Sequence, residues 1–143
     1  MGMVEAEIIL KNSREVHNLT IGLCKDYDVH ETTVKAVVDT GAMTLIINEE
    51  IRQKLNLQIT REKKALIANG EWTRCMETEP VEIHWKNRNM SCNAFVIPAT
   101  KKILLGAIPL EGMDLIVNPV TQELAGAHGD EVEIMCVGVY EAE

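Results

Sequence analysis

The chain has very few aromatic residues. Two Trp, two Tyr and one Phe make up 3% of its 143 residues, so a core must be built from Val, Ile, Leu and Met. It has no cationic cluster either. The net charge is -8, and phosphate binding needs grouped Lys and Arg, which argues against nucleic acid as a partner. The one basic run, Arg61-Glu62-Lys63-Lys64, is interrupted by an acid and reads as a solvated turn. The four cysteines, Cys24, Cys75, Cys92 and Cys136, include no CxxC pair, which leaves out zinc and redox motifs and suggests reduced thiols in a cytoplasmic protein. The start, Met1-Gly2-Met3-Val4-Glu5, is acidic by residue 5 and does not read as a secretory signal. Apolar runs are too short for a membrane span. No glycine-rich phosphate loop and no G-x-S-x-G elbow occurs. His17, His30, His84 and His128 lack metal-ligand spacing, so no metal or other cofactor is expected.

Apolar residues at 46% and charged residues at 25% fit one globular domain spanning 1–143. Val4 to Leu10 reads as a strand ending at Asn12-Ser13, and Leu19 to Leu23 as a second short one, before a polar turn at Lys25–Asp28. Thr32 to Val38 is β-branched and runs as a strand into Asp39. Leu45 to Ile47 returns to strand character. Asn48 then reads as the N-cap of a short helix with Glu49 and Glu50 in its first turn. Asn69-Gly70 is a hairpin signal, because both residue types tolerate positive φ. Trp72 follows at once, and either caps a hydrophobic face or covers a bound ligand from a mobile flap. Val81, Ile83 and Trp85 alternate with polar residues, which places His84 on the solvent side. Asn87-Arg88-Asn89 turns the chain into a returning strand. Ile103 to Gly106 reads as a buried strand, Pro109 as the start of a helical turn, and Leu115–Val117 with Glu123–Ala125 as a hairpin. Ala127–Asp130 reads as a turn and Val132 to Tyr140 as a last strand.

The chemistry concentrates in Ala36-Val37-Val38-Asp39-Thr40-Gly41-Ala42. An apolar strand ends on a carboxylate, which needs stabilising when removed from water. Thr40 can donate a hydrogen bond beside it, and Gly41 allows a tight turn that brings amide groups near. With the Asn69-Gly70 hairpin and Leu104-Leu105-Gly106, this motif resembles the retropepsin-like aspartic proteases, in particular the small cellular ones, over roughly residues 30 to 120.

That resemblance implies an all-β fold, mainly β with one or two short helices, built as an acid-protease half-barrel that dimerises with itself. It implies that Asp39 is catalytic, with Thr40 locking two active-site loops together and Gly41 and Ala42 shaping the substrate floor. Residues 66 to 74 would form a flap, bringing Ala68, Asn69, Gly70 and Trp72 to the substrate. Leu104-Leu105-Gly106 would brace the loop that bears Asp39. The family chemistry uses two aspartates and this chain carries one Asp-Thr-Gly, so the resemblance implies a homodimer with one Asp39 from each subunit. The substrate would be a peptide or an unfolded protein. Met43 and Ala107 stand where many relatives carry polar or basic residues. They motivate a second reading, a retropepsin-like dimerisation or peptide-binding domain with little catalysis. A third is a β-rich domain in which Asp39-Thr40-Gly41 is only a turn.

Overall fold

Strand alternation begins with β1, Glu5–Asn12, which turns Ala6, Ile8, Leu10 and Asn12 inward. The computed structural model describes residues 3–98 and 100–135. β1 pairs antiparallel with β2, Glu31–Val38. β2 pairs parallel with β7, Ile103–Leu105. β7 pairs antiparallel with β3, Leu45–Ile47, which runs parallel to β6, Arg88–Val96. β6 is antiparallel to β5, Trp72–Trp85, and the far half of β5 pairs back on β1 through Ile9–Asn12. Six strands thus close on themselves, and closure removes the free edges of the sheet. β4, Ile59–Leu66, adds only to the outlying half of β5. Ile8, Leu10, Leu45, Ile47, Val81, Ile83, Val96 and Leu105 fill the interior, at roughly 1.5–3 kcal/mol of burial each.

Among the described residues three helices punctuate the strands: α1 at Ser13–Thr20, α2 at Glu49–Lys54 and α3 at Ala107–Gly112, with a 3₁₀ turn at Asp26–Asp28. The fold is mainly β as expected, with one more helix than the one or two expected. The additional helix is α1, and it overturns the strand expected at Leu19–Leu23. Asn12 Oδ1 accepts from Glu15 N at 3.1 Å, which starts the helix directly where β1 ends. Asn48 caps α2 as expected, its Oδ1 accepting from Ile51 N at 2.9 Å.

Other expectations change in physical detail. The run Arg61–Lys64 is strand rather than turn, although it stays solvated. Trp72–Arg74 and Val81–Trp85 belong to one strand, interrupted by a register shift between Glu77 and Pro80. Pro80 has no N–H to give the ladder, and Thr78 Oγ1 accepts from Ala94 N at 3.1 Å there. His84 is half-buried and bonded to Glu82 instead of facing solvent. The expected strand at Val132–Tyr140 is not formed over residues 132–135, and the rest of it lies outside the described residues.

Buried polar groups fasten the excursions to the barrel. Glu15 accepts from His30 N at 2.8 Å and from Asn56 Nδ2 at 3.1 Å, and its Oε1 lies 2.9 Å from His30 Nδ1. Burial pushes this carboxyl up, but the His30 amide, Asn56 and the His30 ring outweigh that and hold it below the usual carboxylate range. A depressed native pKa adds stability that is present above the unfolded value and lost as pH falls through the native one. Urea unfolding should therefore show a loss of stability on the acid side of the carboxylate range, and Glu15→Gln should flatten that limb.

Among the described residues Arg88 is the largest fully buried side chain. It donates to Met113 O at 2.9 Å, Asp114 O at 2.6 Å and Gly129 O at 2.6 Å. These bonds tie the barrel to the hairpin of β8, Leu115–Asn118, and β9, Glu123–Gly126. His128, expected in a plain turn, bonds Asp114 Oδ1 through Nδ1 at 2.7 Å. Replacing Arg88 by Met should cost about 2–4 kcal/mol, since three carbonyls lose their donor and the buried Asp114 carboxylate loses a cation 3.9 Å away. Denaturant titration checks this.

Candidate active site

The Asp39 loop is built by carrying the β2–β7 ladder one residue past the strand. Asp39 N donates to Leu105 O at 3.0 Å, and Ala42 N donates back to Asp39 O at 3.1 Å, closing a turn. Gly41 N donates to Asp39 Oδ1 at 2.9 Å. A Cβ on Gly41 would stand 3.1 Å from that oxygen, so any side chain here crowds the carboxylate. Asp39 is half-buried and Thr40 exposed, which leaves the acid open to water, less enclosed than its strand setting suggested. Among the described residues the Thr40 hydroxyl makes no hydrogen bond.

The loop rests on a rigid bed. Ala107 N donates to Ala42 O at 2.9 Å and Ile108 N to Met43 O at 2.8 Å. A Cβ at Gly106 would lie 2.4 Å from Thr44 O and 2.5 Å from Ala42 O, so only glycine permits this approach of two backbones. Leu104-Leu105-Gly106 therefore does brace the loop. Thr44, which the sequence reading passed over, is buried and donates from Oγ1 to Asn93 O at 3.0 Å, pinning the end of the loop to β6. Its signal is slight: a hydroxyl just before an apolar run.

The second group of expected site residues forms the tip of the β4–β5 hairpin. Gly70 N donates to Ile67 O, and Ile67 N donates to Glu71 O, both at 2.9 Å. Gly70 alone takes positive φ, at +84°, whereas Asn69 accepts from Glu71 N at 2.9 Å. This is a three-residue loop ending in a left-handed glycine, rather than a turn with both residues at positive φ. Ala68, Asn69, Gly70 and Trp72 are all exposed, and no hydrogen bond joins them to the Asp39 loop. At the hairpin base, Glu77 meets Asn93 Nδ2 at 3.0 Å, Arg61 Nε at 3.1 Å and Lys63 Nζ at 3.4 Å. The Asn93 bond first, opposed by burial and then aided by Lys63 and Arg61, holds Glu77 below the usual carboxylate range.

A family model described as "gag-polyprotein putative aspartyl protease" matches residues 26–111. The chain belongs to that aspartyl protease family. Matching solved structures number 38 chains. One is a retropepsin-like aspartic protease from Rickettsia conorii, at 22% identity over 73% of this chain and 78% of that one, with a TM-score of 0.40. No curated protein matches. The matched span holds the Asp39 loop, its Gly106 brace and the whole β4–β5 hairpin. β1, most of the α1 excursion and the β8–β9 hairpin lie outside it. Among the described residues no helix is long and apolar enough to cross a membrane, and no cluster of His, Cys, Asp and Glu could hold a metal ion.

Proposed function

We propose that the chain is an aspartic endopeptidase that works as a homodimer, each subunit contributing one Asp39. The observation that carries this reading is a single water-accessible carboxylate on a loop fixed by backbone bonds to Leu105, Ala107 and Ile108. Two such carboxylates brought within a few ångströms cannot both ionise easily and share one proton; the aspartic-protease dyad is itself the standard example of this effect. The ionised partner takes a proton from a water held between them, and that water attacks the peptide carbonyl. The protonated partner stabilises the carbonyl oxygen, and the leaving amine is then protonated. Gly41 and Ala42 form the substrate floor. Ala68, Asn69 and Gly70 reach over the peptide, with Trp72 beside them.

A dyad that shares a proton titrates as a unit. Cleavage of an unfolded protein should therefore peak at acidic to mildly acidic pH, and a flat rate through neutral and alkaline pH contradicts the shared proton. Binding with little cleavage remains the second reading. It draws on Met43, 71% exposed, and Ile108, 44% exposed, which set apolar surface beside the acid.

A further inference from the structure

The β4–β5 hairpin hangs from the barrel by its base. β6 ends at Val96, opposite Met76, so residues 72–75 of β5 pair with β4 alone. At the base, Glu77 pairs with Phe95, but Pro80 pairs with Asn93. Three steps along β5 thus answer two along β6. The extra residue makes a bulge, a kink on which the hairpin can turn. What fastens this kink sets how the hairpin stands against the barrel.

Two carboxylates flank it. Glu79 fastens the entry to β4 to α1, its Oε2 accepting from Gln58 N at 2.8 Å and its Oε1 from Arg14 Nε at 2.9 Å. Glu77 fastens both hairpin strands to β6. Its Oε1 meets Arg61 and Lys63 on β4, and its Oε2 accepts from Asn93 Nδ2 at 3.0 Å. Asn93 is also where the Asp39 loop is pinned. Its carbonyl oxygen accepts from Thr44 Oγ1 at 3.0 Å, just before Leu45 pairs with Ala94. Thr44 is 4% and Glu77 7% exposed, so water competes poorly at either end of this relay. Among the described residues, Asn93 is the one residue whose hydrogen bonds reach both the hairpin base and the Asp39 loop.

We propose that Asn93 is a positioning residue that couples the stance of the hairpin to the Asp39 loop, its side-chain amide holding Glu77 and its carbonyl holding Thr44. A swing of the hairpin at the bulge pulls on β6 at Asn93, and Thr44 carries the shift into the loop. The functional meaning rests on the peptidase reading above: a peptide gripped by the hairpin then also sets the carboxylate that attacks it.

Amide hydrogen exchange of the full-length chain tests the coupling without requiring cleavage. Asn93→Ala should speed exchange about tenfold in the hairpin, the scale of one charge-assisted hydrogen bond. It should also speed exchange at Ala42 and Ile108, whose N–H groups hold the loop. Thr44→Val should speed exchange over residues 61–76, although Thr44 bonds none of them, because coupling between two sites is reciprocal. The β1–β2 ladder should keep its wild-type protection in both variants. A response confined to the mutated side overturns the proposal. So does a uniform rise along the chain, which marks a general loss of stability. Kinetics supply a separate arm. Asn93→Ala should raise KM and lower kcat together, whereas a plain anchor for the hairpin would move KM alone, so an unchanged kcat also overturns the coupling. If wild type cleaves no peptide, the peptidase reading fails by itself, and the exchange pattern still decides the coupling.

Discussion

Asp39→Asn is expected to lower peptide cleavage by about 10³-fold or more, the scale of a lost general acid–base pair. The amide keeps the size of the carboxylate, and its oxygen can still accept from Gly41 N, now at 2.9 Å from Oδ1. The backbone bonds from Asp39 N and to Asp39 O are untouched. Circular dichroism, thermal midpoint and subunit mass should therefore stay within error of wild type. What disappears is the negative charge that draws the proton from water. Residual cleavage close to the wild-type rate would mean that the chemistry lies elsewhere. Equal and poor digestion of a peptide library by both proteins would favour the binding domain with little catalysis.

Gly106→Val is expected to destabilise the fold by at least about 3 kcal/mol, beyond ordinary overpacking. The first carbon of the new side chain would meet Thr44 O, Ala42 O and Thr44 N at 2.4 to 2.8 Å, and all three are backbone atoms. No rotamer relieves such a contact, so the Asp39 loop must lift from β7 and α3. Gly41→Ala probes the same loop more gently, because its new carbon meets one carboxylate oxygen at 3.1 Å. Denaturant unfolding of the two variants should rank them in that order. Gly106→Val should also lose whatever activity Asp39 supports.

Acid both serves and limits the proposed chemistry. A shared-proton dyad works at acidic pH, whereas Glu15 and Glu77, held below the usual carboxylate range, add stability only while ionised. Glu15 ties α1 to the segment entering β2, and Glu77 ties the hairpin base to β6. The acid limb of the activity profile should therefore include loosening of these two anchors.

The Asp39 loop was legible because its signals are local: a β-branched strand, an acid, a glycine and a second apolar strand lie within a few residues. The brace was legible because Leu-Leu-Gly combines a buried strand with a close backbone approach. α1 was not legible, because Asn12-Ser13 reads as the end of a strand and Leu19–Leu23 as another strand. Yet Asn12 with Glu15 three residues on is a helix-start pattern, and its amide does cap. The continuity of β5 was hidden by Pro80, which has no N–H to give the ladder; at the register shift beside it Ala94 N donates to the Thr78 side chain. Arg88 could not be read as a buried staple. Its three carbonyl partners come from residues 25 to 41 positions away, and nothing near Asn87-Arg88-Asn89 marks it as different from a turn cation.

The central claim is that one active site needs two copies of Asp39, and mixing subunits tests it most directly. Wild type and Asp39→Asn, unfolded together and refolded at fixed total concentration, should give activity that falls as the square of the wild-type fraction. An equal mixture would then keep about a quarter of the wild-type rate, because only dimers with two intact subunits cleave. A linear fall, with half the rate left in the equal mixture, would show that each subunit works alone and would contradict the account.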